Sequence, residues 1–266
     1  MPTFRLRELY EAPESVVVTA HRGFSGQYPE NTLLAFEQAV LLGADLLEFD
    51  IRGTKDHVPI VLHDETLDRT SDGKGSPNLY TLKELRTFNC SYWQGAHGDG
   101  RRLAAPAVAG ATIPTLREVL VAFKNRVGFN IQVYESGEPL LSEICRLYDE
   151  YDLYEQGYLS MSTFEEAELV RAINPRIELC VLGSQGRMDL AALQKLKAFG
   201  CTCIQPWRDE VTPEFCRMVR ELGLYANMFY SNTDADNRRY IGYGLKGILT
   251  DYPDVLMKTL KDMGLR

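Results

Sequence analysis

Residues 16–51 read VVVTAHRGFSGQYPENTLLAFEQAVLLGADLLEFDI: a short apolar run, a turn, an amphipathic pattern over 32–42 closed by Gly43, and a second short run. Strand, helix and strand in that order form the unit from which parallel sheets are built. Working outward, the alternation recurs along the whole chain. Strand patterns lie at 16–21, 46–51, 127–134, 157–161, 177–182, 202–205, 224–230 and 247–250. Helical patterns lie at 32–42, 115–126, 138–151, 163–173, 188–199, 213–222, 234–243 and 253–263. Eight such units are the count of an α/β fold of the (β/α)8 TIM-barrel class, and a length of 266 residues suits one such domain over 1–266. Gly43, Gly200 and Gly223 stand just past helices, where a left-handed cap favours glycine. Thr115 and Glu118 have the spacing of a capping box.

Residues 52–114 break the alternation and form an insertion after the second strand, rich in Gly, Pro and polar residues. Within it VPIVLH (58–63) is a strand pattern separated from Ile51 by only a short turn. A parallel crossover needs a dozen or more residues, so this segment is expected to fold back antiparallel and to return His63 to the carboxyl mouth of the barrel.

Composition limits the function classes. The chain carries 37 acidic and 29 basic residues for a net charge of −8, without a basic run, so binding to nucleic acid lacks its electrostatic driving force. No uncharged apolar run approaches the roughly 18 residues of a spanning helix, and residues 1–15 mix both charges, so a cytoplasmic protein without stable membrane association is expected. The six scattered cysteines read as buried free thiols, and Cys201 and Cys203 have neither zinc nor redox spacing.

In LLEFDI the period of two puts Leu46, Glu48 and Asp50 on one face and Leu47, Phe49 and Ile51 on the other. Two carboxylates pointing into a barrel are costly to ionise unless a cation compensates, which implies a divalent metal. His21 ends the first strand and Arg22 and Gly23 follow at the turn. With His63, the mouth holds two proton-transfer groups, a carboxylate pair and a guanidinium able to fork onto phosphate.

These residues resemble the glycerophosphodiester phosphodiesterase family over nearly the whole chain. The motifs are HRG (21–23), PENT (29–32), EFD with Glu48 and Asp50, HDETLDRTSDG (63–73), IPTL (113–116) and TDYP (250–253). The resemblance implies a barrel whose insertion at 52–114 caps the site and touches the alcohol part of the substrate. It implies cleavage of a glycerophosphodiester, dependent on Mg2+ or Ca2+, into sn-glycerol 3-phosphate and an alcohol, with a place in glycerol and lipid metabolism. His21 is assigned as general base and His63 as the acid that protonates the departing alkoxide, the two roles being exchangeable through a cyclic phosphate. Glu48, Asp50 and Gln132 are the expected metal ligands, and Arg22, Tyr134 and Phe229 the expected substrate contacts. Asn31 and Thr32 are expected to cap the first helix and orient neighbours, and Glu30 to support His21 or the metal.

The chain departs from the family on the third barrel strand. Relatives carry an N-x-E-x-K pattern there, and this chain has Asn130, Gln132 and Tyr134, with both charges gone and the spacing kept. Gln132 still offers an amide oxygen and Tyr134 a hydroxyl, with weaker metal affinity expected; Glu135 has the wrong parity to stand in unless the strand ends or bulges before it. Relatives tend to place a Trp where this chain has Phe229. His57 and His97 are expected in solvent, and Phe88, Tyr92 and Trp93 to pack the insertion. Two competing readings are a related barrel that acts on another phosphodiester or releases a cyclic phosphate, and a phosphodiester-binding barrel without turnover. The head group and the oligomeric state are not encoded legibly.

Overall fold

The computed structural model describes residues 5–12, 15–96 and 98–266, and the alternation does resolve into a (β/α)8 barrel. Its strands are β1 Val17–His21, β2 Leu46–Gly53, β3 Gly128–Val133, β4 Gly157–Met161, β5 Leu179–Val181, β6 Cys203–Ile204, β7 Tyr225–Ala226 and β8 Gly247–Thr250. Parallel ladders join β8, β1, β2, β3, β4 and β5 in that order, and β6 pairs with β7. Met228 donates to the Gly247 carbonyl and accepts from the Leu249 N–H, which ties the end of β7 back to β8. Between β5 and β6 no ladder forms among the described residues. There the Glu178 carboxylate accepts the N–H of Thr202 at 2.7 Å and of Cys203 at 3.4 Å, supplying the acceptor that buried N–H groups require.

The strands expected at 202–205 and 224–230 are far shorter than their patterns. Pro206 has no N–H to donate and interrupts the pairing, which resumes only as single bonds between Phe229 N–H and Pro206 O and between Arg208 N–H and Phe229 O. The helical pattern at 115–126 likewise ends early, at Phe123, because Asn125 adopts a left-handed φ of 64°. Gly43, Gly200 and Gly223 are left-handed caps, and both halves of the Thr115/Glu118 box are formed.

Strand parity divides the core. Outward residues such as Val18, Ala20, Leu47, Phe49, Ile51, Phe129 and Ile131 pack under the helices. Inward residues Val17, Leu46, Tyr158, Cys180 and Cys203 fill the amino-terminal end of the barrel, which Leu6 and Tyr10 of the helix Leu6–Glu11 close. This plug is absent from the sequence reading, since six residues offer a single i, i+4 apolar pair amid charges of both signs. Tyr10→Ala is expected to cost about 3 kcal/mol in urea denaturation while leaving turnover unchanged; a catalytic loss at constant stability would contradict it. Above the plug lies a satisfied polar layer. Asn130 donates to Gln205 at 2.8 Å and accepts from Ser160 at 2.7 Å, and Asn227 bridges Thr19 and Tyr158.

The insertion does fold back. Its strand Pro59–Val61 runs antiparallel to Ile51–Gly53, and Leu62 N–H donates to the Asp50 carbonyl at 3.0 Å. The segment builds its own small core from Ile60, Leu62, Leu67, Leu85, Cys90 and Ile113, with Phe88 packed against it. His57 is exposed in the hairpin turn, and His97 lies outside the described residues. All six cysteines are buried and free.

Candidate active site

β1 ends at His21, whose partner across the parallel ladder is Glu48. The two side chains share the inner face, with His21 Nε2 at 3.9 Å from Glu48 Oε2. The β8 register sets Thr250 beside Ala20, so the next residue, Asp251, meets the histidine: Asp251 Oδ1 lies 2.7 Å from His21 Nδ1. A carboxylate only accepts, so the neutral ring carries its proton on Nδ1 and keeps the lone pair of Nε2 for the mouth. Asp251 is itself held by the Ser25 hydroxyl at 2.8 Å and by Asn232 Nδ2 at 2.7 Å. Burial alone would lower the His21 pKa, but Asp251, supported by Glu48, outweighs it and the net shift is upward. Phe229 meets the ring edge-on at 5.2 Å.

The turn after His21 depends on backbone freedom. Arg22 has φ 55° and Gly23 φ 80°, and a Cβ on Gly23 would stand 2.7 Å from the backbone of Ala35. The bend aims Arg22 N–H at Glu48 Oε2, 3.1 Å away. The Arg22 guanidinium is buried, with Nη1 on Glu30 at 2.9 Å and Nε 3.3 Å from Asp50.

The second histidine comes from the insertion. His63 Nδ1 is 2.7 Å from Asp64 Oδ1, and its ring meets Tyr134 edge-on at 5.3 Å. Arg69 spends its whole fork nearby, with Nε and Nη2 on Asp64 and Nη1 and Nη2 on Glu30, all at 2.7–2.9 Å. Glu30, expected to support His21 or the metal, joins Arg22 to Arg69, and the carboxylate beside His21 is Asp251. Burial alone would raise the Glu30 carboxyl, but Arg22 and Arg69 outweigh it and bring it down to about 2. A carboxyl lowered on folding stabilises above its unfolded pKa of about 4.5 and loses that contribution as pH falls through its folded value. Glu30→Gln should thus cost about 3 kcal/mol at neutral pH. The gap to wild type should close between pH 4.5 and 2 in urea unfolding; a constant gap would overturn the account.

Glu48 and Asp50 are both buried on the inner face of β2. Burial, and then Asp50 beside it, push the Glu48 carboxyl well above the usual range, the mark of a carboxylate pair short of positive charge. Asp50 accepts from Asn31 Nδ2 at 2.8 Å, and the buried Asn31 Oδ1 has no hydrogen-bond partner among the described residues. Gln132 is half-buried and stands beside Asp50 in register. Two carboxylates, an orphaned amide oxygen and a second amide on the adjacent strand suit a hard divalent cation. Among the described residues no three His, Cys, Asp or Glu side chains converge as a metal cage, so a cation here would depend on amide oxygens and water. Thr32, rather than Asn31, caps the helix Leu33–Leu42.

The structure thus brings together His21, Arg22, Glu48, Asp50 and Asn31 at one side, and His63 and Tyr134 at the other. Asp251, Asp64, Arg69, Ser25 and Asn232 were not singled out from sequence. Asp64, Arg69 and Asp251 did lie within the quoted motifs HDETLDRTSDG and TDYP, and Asp251 is also the first residue past a barrel strand at the carboxyl end.

Comparison with known proteins follows the same lines. Residues 21–255 match the sequence profile of the Glycerophosphoryl diester phosphodiesterase family. A glycerophosphodiester phosphodiesterase of Bacillus subtilis is 30% identical over 94% of this chain and 88% of its own. One from Bacillus altitudinis is 32% identical over 92% and 98%. A solved structure of an Oleispira antarctica phosphodiesterase, in complex with the product sn-glycerol-3-phosphate, has a TM-score of 0.78 at 24% identity, covering 92% of this chain and 96% of that one. Among the described residues no helix is long and apolar enough to cross a membrane.

Proposed function

The chain belongs to the glycerophosphoryl diester phosphodiesterase family, and from that premise we propose that it hydrolyses glycerophosphodiesters to sn-glycerol 3-phosphate and an alcohol by histidine acid–base catalysis supported by Mg2+ or Ca2+. The observation that carries the proposal is the pair of histidines at one mouth, each with Nδ1 2.7 Å from a carboxylate. With a carboxylate at each Nδ1, the pair suits one ring to take a proton while the other gives one.

A phosphodiester brings one negative charge and gathers more on its equatorial oxygens as the bond breaks. Arg22 holds positive charge beside His21, and Glu30 fixes where that charge sits. His21 Nε2 takes the proton from the attacking oxygen, either water or the neighbouring glycerol hydroxyl, and Asp251 stabilises the imidazolium that results. His63 protonates the leaving alkoxide, with Asp64 and Arg69 holding its ring in place. If the glycerol hydroxyl attacks first, the two histidines exchange duties when water opens the cyclic phosphate. A cation held by Glu48, Asp50, Gln132 and Asn31 Oδ1 would supply Lewis-acid stabilisation of the phosphoryl oxygens. Phe229, and the Tyr134 hydroxyl, complete the wall that meets the substrate.

The test is 31P NMR of the protein with glycerophosphocholine, glycerophosphoethanolamine and bis(glycero)phosphate, with Mg2+ or Ca2+ and with EDTA. Glycerol 3-phosphate that EDTA suppresses supports the proposal. A cyclic phosphate that persists moves the reaction to a phosphotransfer that stops halfway, and no turnover with any diester at saturating cation overturns it.

A further inference from the structure

Three guanidinium groups converge on the mouth, and they differ in what they have left to give. Arg69 uses Nε, Nη1 and Nη2 on Asp64 and Glu30. Arg22 is buried, with Nη1 on Glu30 and Nε against Asp50. Arg52 is different. It lies two residues beyond Asp50 on β2, so it shares the inner face with Glu48 and Asp50 and stands one step nearer the opening. Its Nε donates to the His63 carbonyl at 2.9 Å. Its guanidinium carbon sits 4.8 Å from the centre of the Tyr134 ring. Its nearest carboxylate, Glu135, is 3.7 Å from Nη1, beyond hydrogen-bond distance. Glu135 instead accepts the Gly53 N–H at 3.2 Å. Neither Nη atom of Arg52 has a hydrogen-bond partner among the described residues, although the side chain is only 10% exposed.

A guanidinium nearly buried, stacked on an aromatic ring, anchored through Nε and left with an unused pair of N–H donors is prepared for an anion that arrives from outside. The anchor matters for where the anion sits. Arg52 holds the backbone of His63, and Tyr134, beneath Arg52, touches the His63 ring. The open edge therefore belongs to the same corner as the proton donor of the leaving oxygen. We infer that the Nη1 and Nη2 edge of Arg52 binds a non-bridging phosphoryl oxygen of the substrate and is the main side-chain cation for it on the His63 side. This assigns to β2 a charge that Tyr134 on the neighbouring strand does not supply, and it deepens the proposed phosphodiesterase reading, on which it rests.

The test separates phosphate binding from support of His63. Dissociation constants of sn-glycerol 3-phosphate, inorganic phosphate and glycerol are measured by calorimetry for wild type, Arg52→Gln and Arg52→Lys, with and without Mg2+, beside kcat and KM for glycerophosphocholine. Thermal unfolding of each variant checks the fold. The expected result is a loss of both phosphate ligands by roughly 10- to 100-fold in Arg52→Gln, a rise in KM of the same order, and no change for glycerol. Arg52→Lys keeps the charge and should recover a good part of the phosphate affinity while losing the Nε bond to His63. A residue that only braced His63 would lower kcat in both variants and leave the phosphate dissociation constants unchanged, and that outcome overturns the assignment. Wild type without measurable affinity for either phosphate ligand also overturns it. Should wild type bind phosphate but turn over no diester, the calorimetric arms still decide the role of Arg52, while the reaction assignment fails separately.

Discussion

His21→Asn lowers kcat for a glycerophosphodiester by roughly 10³- to 10⁴-fold without loss of thermal stability large enough to explain it, the range expected when a positioned acid–base group is removed. The companion Asp251→Asn variant is the sharper experiment. Asp251 keeps the proton on Nδ1 and raises the His21 pKa against burial, which alone would lower it. An amide in its place leaves only Glu48 to oppose burial, so the limb of the pH profile of kcat/KM that reports His21 should move to lower pH and kcat should fall by roughly 10²-fold or more. The stability contribution has the opposite dependence from a carboxylate. A histidine raised on folding adds stability that is present below its unfolded pKa of 6.5 and is lost as pH rises through its folded value. Asp251→Asn should therefore destabilise the protein more at pH 5.5 than at pH 9, both roughly chosen to bracket that pKa. An unmoved limb would show that Asp251 does not act through His21.

The second large effect concerns Glu48 and Asp50. Wild type should gain stability from Mg2+ or Ca2+, about 2.7 kcal/mol when the cation is at 100 times its dissociation constant. Glu48→Gln and Asp50→Asn should each abolish that gain and lower turnover by roughly 10³-fold or more. Because burial and Asp50 hold the Glu48 carboxyl protonated to unusually high pH, protons compete with the cation, and the gain in wild type should be larger at alkaline than at acidic pH. Gln132→Glu adds a charged oxygen beside Asp50 and should tighten cation binding. Thermal unfolding with a cation titration reads all of this, and a cation response that survives both carboxylate changes would refute the site.

Much of this arrangement is legible because strand geometry is so regular. The period of two placed Glu48 and Asp50 on one face and Leu47, Phe49 and Ile51 on the other, and the structure keeps that division. The short turn after Ile51 could only lead to an antiparallel return, which delivers His63 to the mouth. What stayed hidden depends on register and on loops. Asp251 reaches His21 because β8 pairs with β1 at one particular offset, which no local pattern encodes. Arg69 reaches Glu30 across 39 positions through an irregular segment, so its role follows from tertiary packing. The partners of Glu30 stayed hidden for the same reason, although its acidity was visible. Arg52 had the right parity, but only coordinates reveal that its outer nitrogens are left open.

The replacement of backbone pairing by Glu178 between β5 and β6 has a mechanical consequence. A ladder resists shear through many bonds along its length, whereas here the Glu178 carboxylate and the Trp207 N–H on the Gln185 carbonyl resist it at isolated points. The wall therefore behaves as a stiff arc of six strands with a two-strand leaf attached along β8. That leaf continues into Trp207 and Phe229, and Phe229 meets the His21 ring edge-on. In deuterium exchange the amides of Thr202 and Cys203 should open before those of β1 and β2, and Glu178→Ala should hasten them selectively. The stiff arc carries His21, Glu48, Asp50 and Gln132, so the part of the wall that yields is the leaf whose Phe229 leans on the His21 ring.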